Sequence, residues 1–160
     1  MLVGEQPGDV EDREGRPFVG PAGRLLRAAL AEAGFAERDV YLTNAVKHFK
    51  WRPEGKRRIH ERPNREEMLA CRMWLDIETS TVRPRAIVAL GATAASVIVG
   101  PQVRVTRDRG TFLPSPAAEF VMVTVHPSSV LRAPDPAARE AARRAFVADL
   151  RSLAARLKRV

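Results

Sequence analysis

Residues 86–90, Ala86-Ile87-Val88-Ala89-Leu90, form an unbroken apolar run closed by Gly91. A strand with one wet face alternates apolar and polar side chains. A run of five apolar residues instead reads as a strand covered on both faces, the habit of parallel sheets in α/β domains. Phe120-Val121-Met122-Val123-Thr124-Val125 repeats the pattern just before His126-Pro127. Outward from these two runs, Met1-Leu2-Val3 and Val40-Tyr41-Leu42-Thr43 supply two shorter candidate strands. Between the strands, apolar residues recur at helical spacing. Leu25, Leu26, Ala29, Leu30 and Ala33 mark a helix over residues 21–33 that ends at Gly34. Asn64 caps a second, to about residue 79, with Met68, Leu69, Trp74 and Leu75 inward. A third covers residues 93–99, and a fourth runs over residues 136–157 with arginines outward. Residues 103–113 read as an irregular, hairpin-like excursion. Residues 48–64, polar, basic and bearing proline and glycine, read as a long surface loop. Strands alternating with helices predict a three-layer α/β/α domain around a mainly parallel sheet of roughly four strands.

With 160 residues and 45% hydrophobic content, the chain fits one domain over residues 1–160. Lys and Arg number 27 against 19 Asp and Glu, a net charge of +8 that favours a polyanionic partner through release of phosphate counterions. One cysteine, Cys71, excludes an intrachain disulfide framework and points to a reducing compartment. No signal peptide opens the chain and no apolar run reaches membrane-spanning length. The expectation is a soluble, cytoplasmic monomer, nucleoid-associated in a bacterium, without repeats or low-complexity segments. A core strand that starts at residue 1 is expected to have lost something N-terminal to it.

In open α/β sheets, ligands bind beyond the carboxyl ends of the strands. The polar residues gather there: Glu5-Gln6-Pro7-Gly8-Asp9 after the first strand, Asn44 after the second, His126 after the last. Gly91-Ala92-Thr93 after the third lets backbone approach closely. Taken singly, Asp9 is a turn residue, Asn44 a loop cap and His126 a histidine satisfied before a proline turn. Their joint placement at one end of the sheet points to a site. Phe18, set among Gly15, Pro17, Gly20, Pro21 and Gly23, reads either as a hydrophobic staple on the following helix or as a platform on which a base stacks.

Five stretches carry a family resemblance: Gly4-Glu5-Gln6-Pro7-Gly8, Arg16-Pro17-Phe18-Val19-Gly20, Thr43-Asn44-Ala45-Val46-Lys47, Ala89-Leu90-Gly91-Ala92 and His126-Pro127-Ser128-Ser129. In order and spacing they resemble the family 4 uracil-DNA glycosylases over nearly the whole chain. Gln6 and the basic stretch Lys56-Arg57-Arg58-Ile59-His60 resemble the UdgX branch of that superfamily, whose members become covalently attached to uracil-containing DNA.

The resemblance implies an enzyme that excises uracil, from single strands by preference, and ends linked to the abasic sugar through His60 after one turnover. In that reading Phe18 stacks on the flipped uracil and Asn44 reads its edge, both donating and accepting. His126 donates to uracil O2 as charge collects on the departing base. Glu5 stabilises the cationic sugar or orients the attacking group. Gln6 and Asp9 shape the pocket, and Ser128 and Ser129 hold backbone phosphates. Lys56, Arg57 and Arg58 seat their loop on phosphates and keep His60 neutral by like-charge repulsion. Family 4 enzymes also hold a 4Fe–4S cluster on four cysteines. Cys71 stands at one ligand position and His48 at another, and the other two positions would precede the first strand. The resemblance therefore implies an incomplete ligand set and a domain lacking its N-terminal cluster-binding segment. A conventional turnover glycosylase and a non-catalytic uracil-DNA-binding module are the alternatives.

Overall fold

The computed structural model describes residues 1–159. In chain order its elements are β1 (Leu2–Gly4), α1 (Asp9–Glu14), α2 (Pro21–Glu32), a 3-10 turn (Glu37–Asp39), β2 (Leu42–Asn44), β3 (Trp51–Glu54), β4 (Arg57–His60) and α3 (Arg65–Val82). Then come β5 (Ala86–Leu90), α4 (Ala92–Ile98), α5 (Val105–Asp108), β6 (Phe112–Leu113), β7 (Phe120–Thr124), α6 (Pro127–Leu131) and α7 (Pro136–Lys158). The central sheet has the order β2-β1-β5-β7-β6, parallel except for β6, which pairs antiparallel at the edge. The two apolar runs behave as read: β5 and β7 are buried at every position.

Successive side chains along a strand point to opposite faces, so each run feeds two cores. Leu2, Val88, Leu90, Phe120 and Met122 pack with Leu26 and Leu30 of α2 and with Phe146, Val147 and Leu150 of α7. Val3, Ile87, Ala89, Val121 and Val123 face the other way, onto Leu75 of α3 and Ala94 and Ala95 of α4. The result is the expected α/β/α arrangement. No helix among the described residues is long and apolar enough to cross a membrane.

The structure corrects three local expectations and adds one unforeseen helix. The sheet gains a fifth strand, β6, from the stretch read as an excursion. Residues 48–64 are not loop throughout: β3 and β4 form an antiparallel hairpin with Trp51 opposite His60 and Glu54 opposite Arg57. Leu69 and Trp74 lie on the outside of α3, 62% and 53% exposed, because the spacing of Cys71 and Leu75 fixes its buried stripe. The charged stretch Asp9–Glu14 is helix α1, which has no buried residue and so no apolar periodicity to betray it. Asn64 does cap α3, in a reciprocal capping box: Glu67 N donates to Asn64 Oδ1 at 2.9 Å, and Asn64 N to Glu67 Oε2 at 2.7 Å.

One close approach sets the geometry at the entry to α2. Phe18 adopts φ +56° ahead of the helix, and a Cβ added at Gly23 would overlap the Phe18 carbonyl oxygen. Helix propensity alone would favour alanine over glycine there by about 1 kcal/mol, but the clash is with backbone and cannot be rotated away. Gly23→Ala is expected to cost about 1–3 kcal/mol net, read as a lowered Tm in thermal unfolding. An unchanged or raised Tm would show that the Phe18 turn yields freely.

Candidate active site

The carboxyl ends of β1, β2, β5 and β7 open into a cavity of about 490 Å³ lined by Glu5, Gln6, Glu11, Phe18, Asn44, His60, Gly91, His126, Ser128 and Arg132, among others. Parallel register places Asn44 opposite Gly4. A Cβ on Gly4 would overlap Asn44 Oδ1 and meet the Phe18 ring at 2.7 Å. Glycine at this position is what allows an amide and an aromatic ring to share one pocket wall. Phe18, 5% exposed, also stacks on the His126 ring, with centroids 6.1 Å apart and planes 27° from parallel.

His126 lies two residues past the end of β7 and caps α6. Its Nδ1 accepts from Ser128 N at 3.2 Å and lies 2.8 Å from Ser128 Oγ. A neutral ring that accepts at Nδ1 carries its proton on Nε2. Burial is the main force pushing His126 down from the ordinary 6.5 to about 4; Glu5 opposes it, and Arg132 and His60 add to it. At neutral pH the residue is therefore an uncharged donor. Ser129 Oγ donates to His126 O at 2.7 Å. Both serine hydroxyls make their contacts within the His126 turn.

Glu5 follows β1 directly. Its Oε1 lies 3.2 Å from His60 Nε2, and its Oε2 accepts from the Thr93 hydroxyl. His60 is brought in by the β3–β4 hairpin, and the base of that hairpin is held by Gln6. Gln6 Nε2 donates to Lys50 O at 3.2 Å and to Glu61 O at 3.0 Å, while Lys50 N donates to Gln6 Oε1 at 3.1 Å. Gln6 thus lines the pocket and also clamps both feet of the hairpin.

Farther along the hairpin, Arg58 departs from its expected role. Its guanidinium bonds Asp9 and, at 2.6 Å, Asp12, and lies over the rings of Phe49 and Trp51 at 5.2 and 5.5 Å. Its charge is met by two carboxylates, so it is neither free for phosphate nor an unopposed like charge beside His60. Asp9 is correspondingly absent from the cavity wall. Partial desolvation raises its carboxyl, but hydrogen bonds from Arg58 and Arg13 outweigh this and hold it below the ordinary range. Lys56 and Arg57, by contrast, are exposed at the tip. Glu11, which accepts from Gly20 N at 2.8 Å, and Arg132 are wall residues that sequence reading missed. Glu11 sits on the unforeseen α1, and Arg132 lies six residues past His126 with nothing local to mark it.

Cys71 and His48 come together away from the pocket. Cys71 Sγ is 3.8 Å from His48 Nδ1 and accepts from Lys47 N at 3.3 Å; His48 Nε2 is 3.9 Å from Glu67 Oε1. A thiol and an imidazole are fitting donors to iron, but they are two where a cubane takes four. No group of three or more candidate metal ligands occurs among the described residues. Among the described residues the set is therefore incomplete as a cluster site.

The family model described as the uracil DNA glycosylase superfamily matches residues 1–151. A type-4 uracil-DNA glycosylase of Thermotoga maritima is 44% identical over 133 residues, 82% of this chain and 66% of the relative. Type-4 enzymes of Pyrobaculum aerophilum and Sulfurisphaera tokodaii are 40% and 37% identical, over 84% of this chain in each case and 68% and 62% of theirs. The chain spans about two thirds of the length of these relatives.

The depressed His126 has a consequence for stability. Unfolded, the imidazole takes its proton near 6.5; folded, it resists until about 4. The unfolded state therefore binds more protons between those values. His126's share of stability is complete above pH 6.5 and drains away as pH falls towards 4. Denaturant melts at about pH 7 and about pH 4.5 are expected to show wild type losing about 2–3 kcal/mol more than His126→Gln. Equal losses would mean that water reaches the ring and that burial does not set its charge.

Proposed function

The chain belongs to the uracil-DNA glycosylase superfamily, and we propose that it excises uracil from DNA and then captures the freed sugar on His60, as the UdgX branch does. The observation that carries this reading is the approach of His60 Nε2 to within 3.2 Å of Glu5 Oε1, at a pocket also walled by Phe18, Asn44 and His126.

Breaking the N-glycosidic bond sends its electron pair onto the base and leaves an oxocarbenium-like sugar. The pocket has a group suited to each half. Phe18 receives the flipped base as a stacking face, and extrusion costs a few kcal/mol, least from a single strand. Asn44 offers one donor and one acceptor to the base edge, a pair that fits uracil and mismatches cytosine. The Nε2–H of His126 donates to uracil O2, where charge collects; a donor so placed is typically worth about 2.7–4 kcal/mol in the transition state. Being neutral already, His126 needs no deprotonation at physiological pH to act this way.

On the sugar side Glu5 supplies the compensating negative charge. A lone pair of the His60 ring closes on C1′ as the base leaves. The bond formed is N–C1′, the bond broken is C1′–N1, and the positive charge moves onto the imidazole, where the Glu5 carboxylate meets it. Water competes for the same carbon, but a nucleophile held in place has an effective molarity well beyond that of bulk water, roughly 10⁵ M or more in favourable systems. Lys56 and Arg57, exposed at the hairpin tip, are suited to the flanking phosphates.

The second reading is a conventional enzyme in which water wins. It is favoured by the type-4 names of the relatives. Both readings share the excision chemistry and differ only in the fate of the sugar.

A uracil-containing oligonucleotide incubated with the protein and run on a denaturing gel separates the two. Wild type is expected to give a slow-migrating protein–DNA band, and His60→Ala to lose that band while leaving alkali-labile abasic DNA. An adduct that survives in His60→Ala removes the histidine from the role. Abasic DNA from wild type with no band selects the turnover reading. Asn44→Ala is expected to lower uracil release by about 10²-fold or more, measured as the single-turnover rate. Retained activity would mean that the base is read elsewhere.

A further inference from the structure

Glu5 sits between two demands. One of its oxygens must face His60, yet a glutamate side chain rotates about three bonds and this one is partly open to solvent. The counterweight is a residue on the far side. Thr93, in the first turn of α4, is 1% exposed, and its hydroxyl donates to Glu5 Oε2. Oε1 of the same carboxylate is the atom 3.2 Å from His60 Nε2. One oxygen is tied to the scaffold and the other is presented to the nucleophile.

The ends of this line are themselves fixed. The backbone of Glu5 is held where Val46 N donates to Glu5 O at 2.9 Å. The start of α4 is held where Gly91, at φ +91°, donates from its backbone to Thr124 O at 2.9 Å. Thr93 is packed on all sides, 1% exposed, so a swing of its hydroxyl away from Glu5 would have to displace its neighbours. Gly91 also lies against His126: a Cβ there would be 3.1 Å from His126 Cβ. One turn of backbone therefore sets the registry between the group aimed at the base and the group aimed at the sugar.

We propose that Thr93 is a positioning residue that acts through Glu5 and governs whether the sugar cation is taken by His60 or by water. The partition half of this inference rests on covalent capture by His60; the positioning of Glu5 does not. A hydrogen bond to a charged group is among the stronger ones in proteins. Its loss leaves Oε2 unpaired and lets the carboxylate leave the His60 side.

The test uses the full chain with Thr93→Val and Thr93→Ser, a uracil-containing oligonucleotide, and gel quantification of adduct against free abasic DNA. Thr93→Val is expected to slow single-turnover uracil release roughly tenfold or more. It should also shift product from adduct towards abasic DNA, with affinity for an uncleavable 2′-fluorinated uracil oligonucleotide unchanged. Thr93→Ser, which keeps the hydroxyl, should restore both the rate and the product ratio to near wild type. In a Glu5→Gln background Thr93→Val should cause little further loss. Wild-type rate and ratio in Thr93→Val would overturn the inference, as would full additivity with Glu5→Gln. If Thr93→Val does not fold, a Thr93→Ser variant that folds and yet loses the activity would overturn it. If wild type releases uracil without any adduct, covalent capture fails by itself. Thr93 is then judged on the release rate alone, where the same drop is expected and no drop rejects it.

Discussion

The parallel pairing of β1 between β2 and β5 is the constraint on which the site depends. Three residues of strand align Leu2, Val3 and Gly4 with Leu42, Thr43 and Asn44 on one side, while Leu2 and Val3 align with Val88 and Ala89 on the other. Because the strands run the same way, their carboxyl ends all emerge at one edge. Glu5 and Gln6 arrive there from β1, the Asn44 amide from β2, Gly91 from β5 and His126 from β7. A slip of one residue in β1 would turn Val3 out of the α3–α4 core and would replace Gly4 with a side chain where Asn44 and Phe18 leave no room. Packing and chemistry thus enforce the same register.

The hairpin is the dependent part. A two-stranded ribbon is marginally stable by itself in water, and β3 is exposed along its length. It is held at two places. Gln6 bonds both of its feet, and Arg58 reaches back to Asp9 and Asp12 on α1 across the Phe49 and Trp51 rings. The Arg58 pairs are partly solvated, so each contributes modestly. The Gln6 contacts satisfy backbone groups that would otherwise have to find water. Both anchors lie beside β1, which joins the position of His60 to that of Glu5. Within the basic stretch Arg58 is paired with two carboxylates of α1, while Lys56 and Arg57 are exposed at the tip.

The layered fold was legible because an unbroken apolar run such as Ala86–Leu90, too short for a helix that could bury it, fits little besides a strand covered on both faces. Polar residues right after such runs then fall at one edge of a parallel sheet. Phe18, Asn44, Glu5, His60 and His126 were nameable from motif, and they converge on one cavity. What escaped had no periodic signal. The hairpin carries Pro53, Gly55 and a run of charges, so its strands show no apolar alternation. Helix α1 buries nothing, which hid Glu11 and the real use of Asp9. Leu69 and Trp74 suggested an inward stripe, but helical geometry gave that stripe to Cys71 and Leu75. Thr93 was visible only as part of a close-approach turn, since a hydroxyl bonded to Glu5 leaves no mark at a separation of 88 residues.

The central claim is that the Glu5–His60 contact makes a nucleophile of His60 at the sugar. Peptide mass mapping after reaction tests it most directly. The protein is incubated with a uracil-containing oligonucleotide, the DNA is trimmed by nuclease, and the digest is measured by mass spectrometry. A mass increment of the residual sugar nucleotide on His60 is the expected result. Stoichiometric release of uracil with every peptide unmodified, or an increment on another residue, would contradict it.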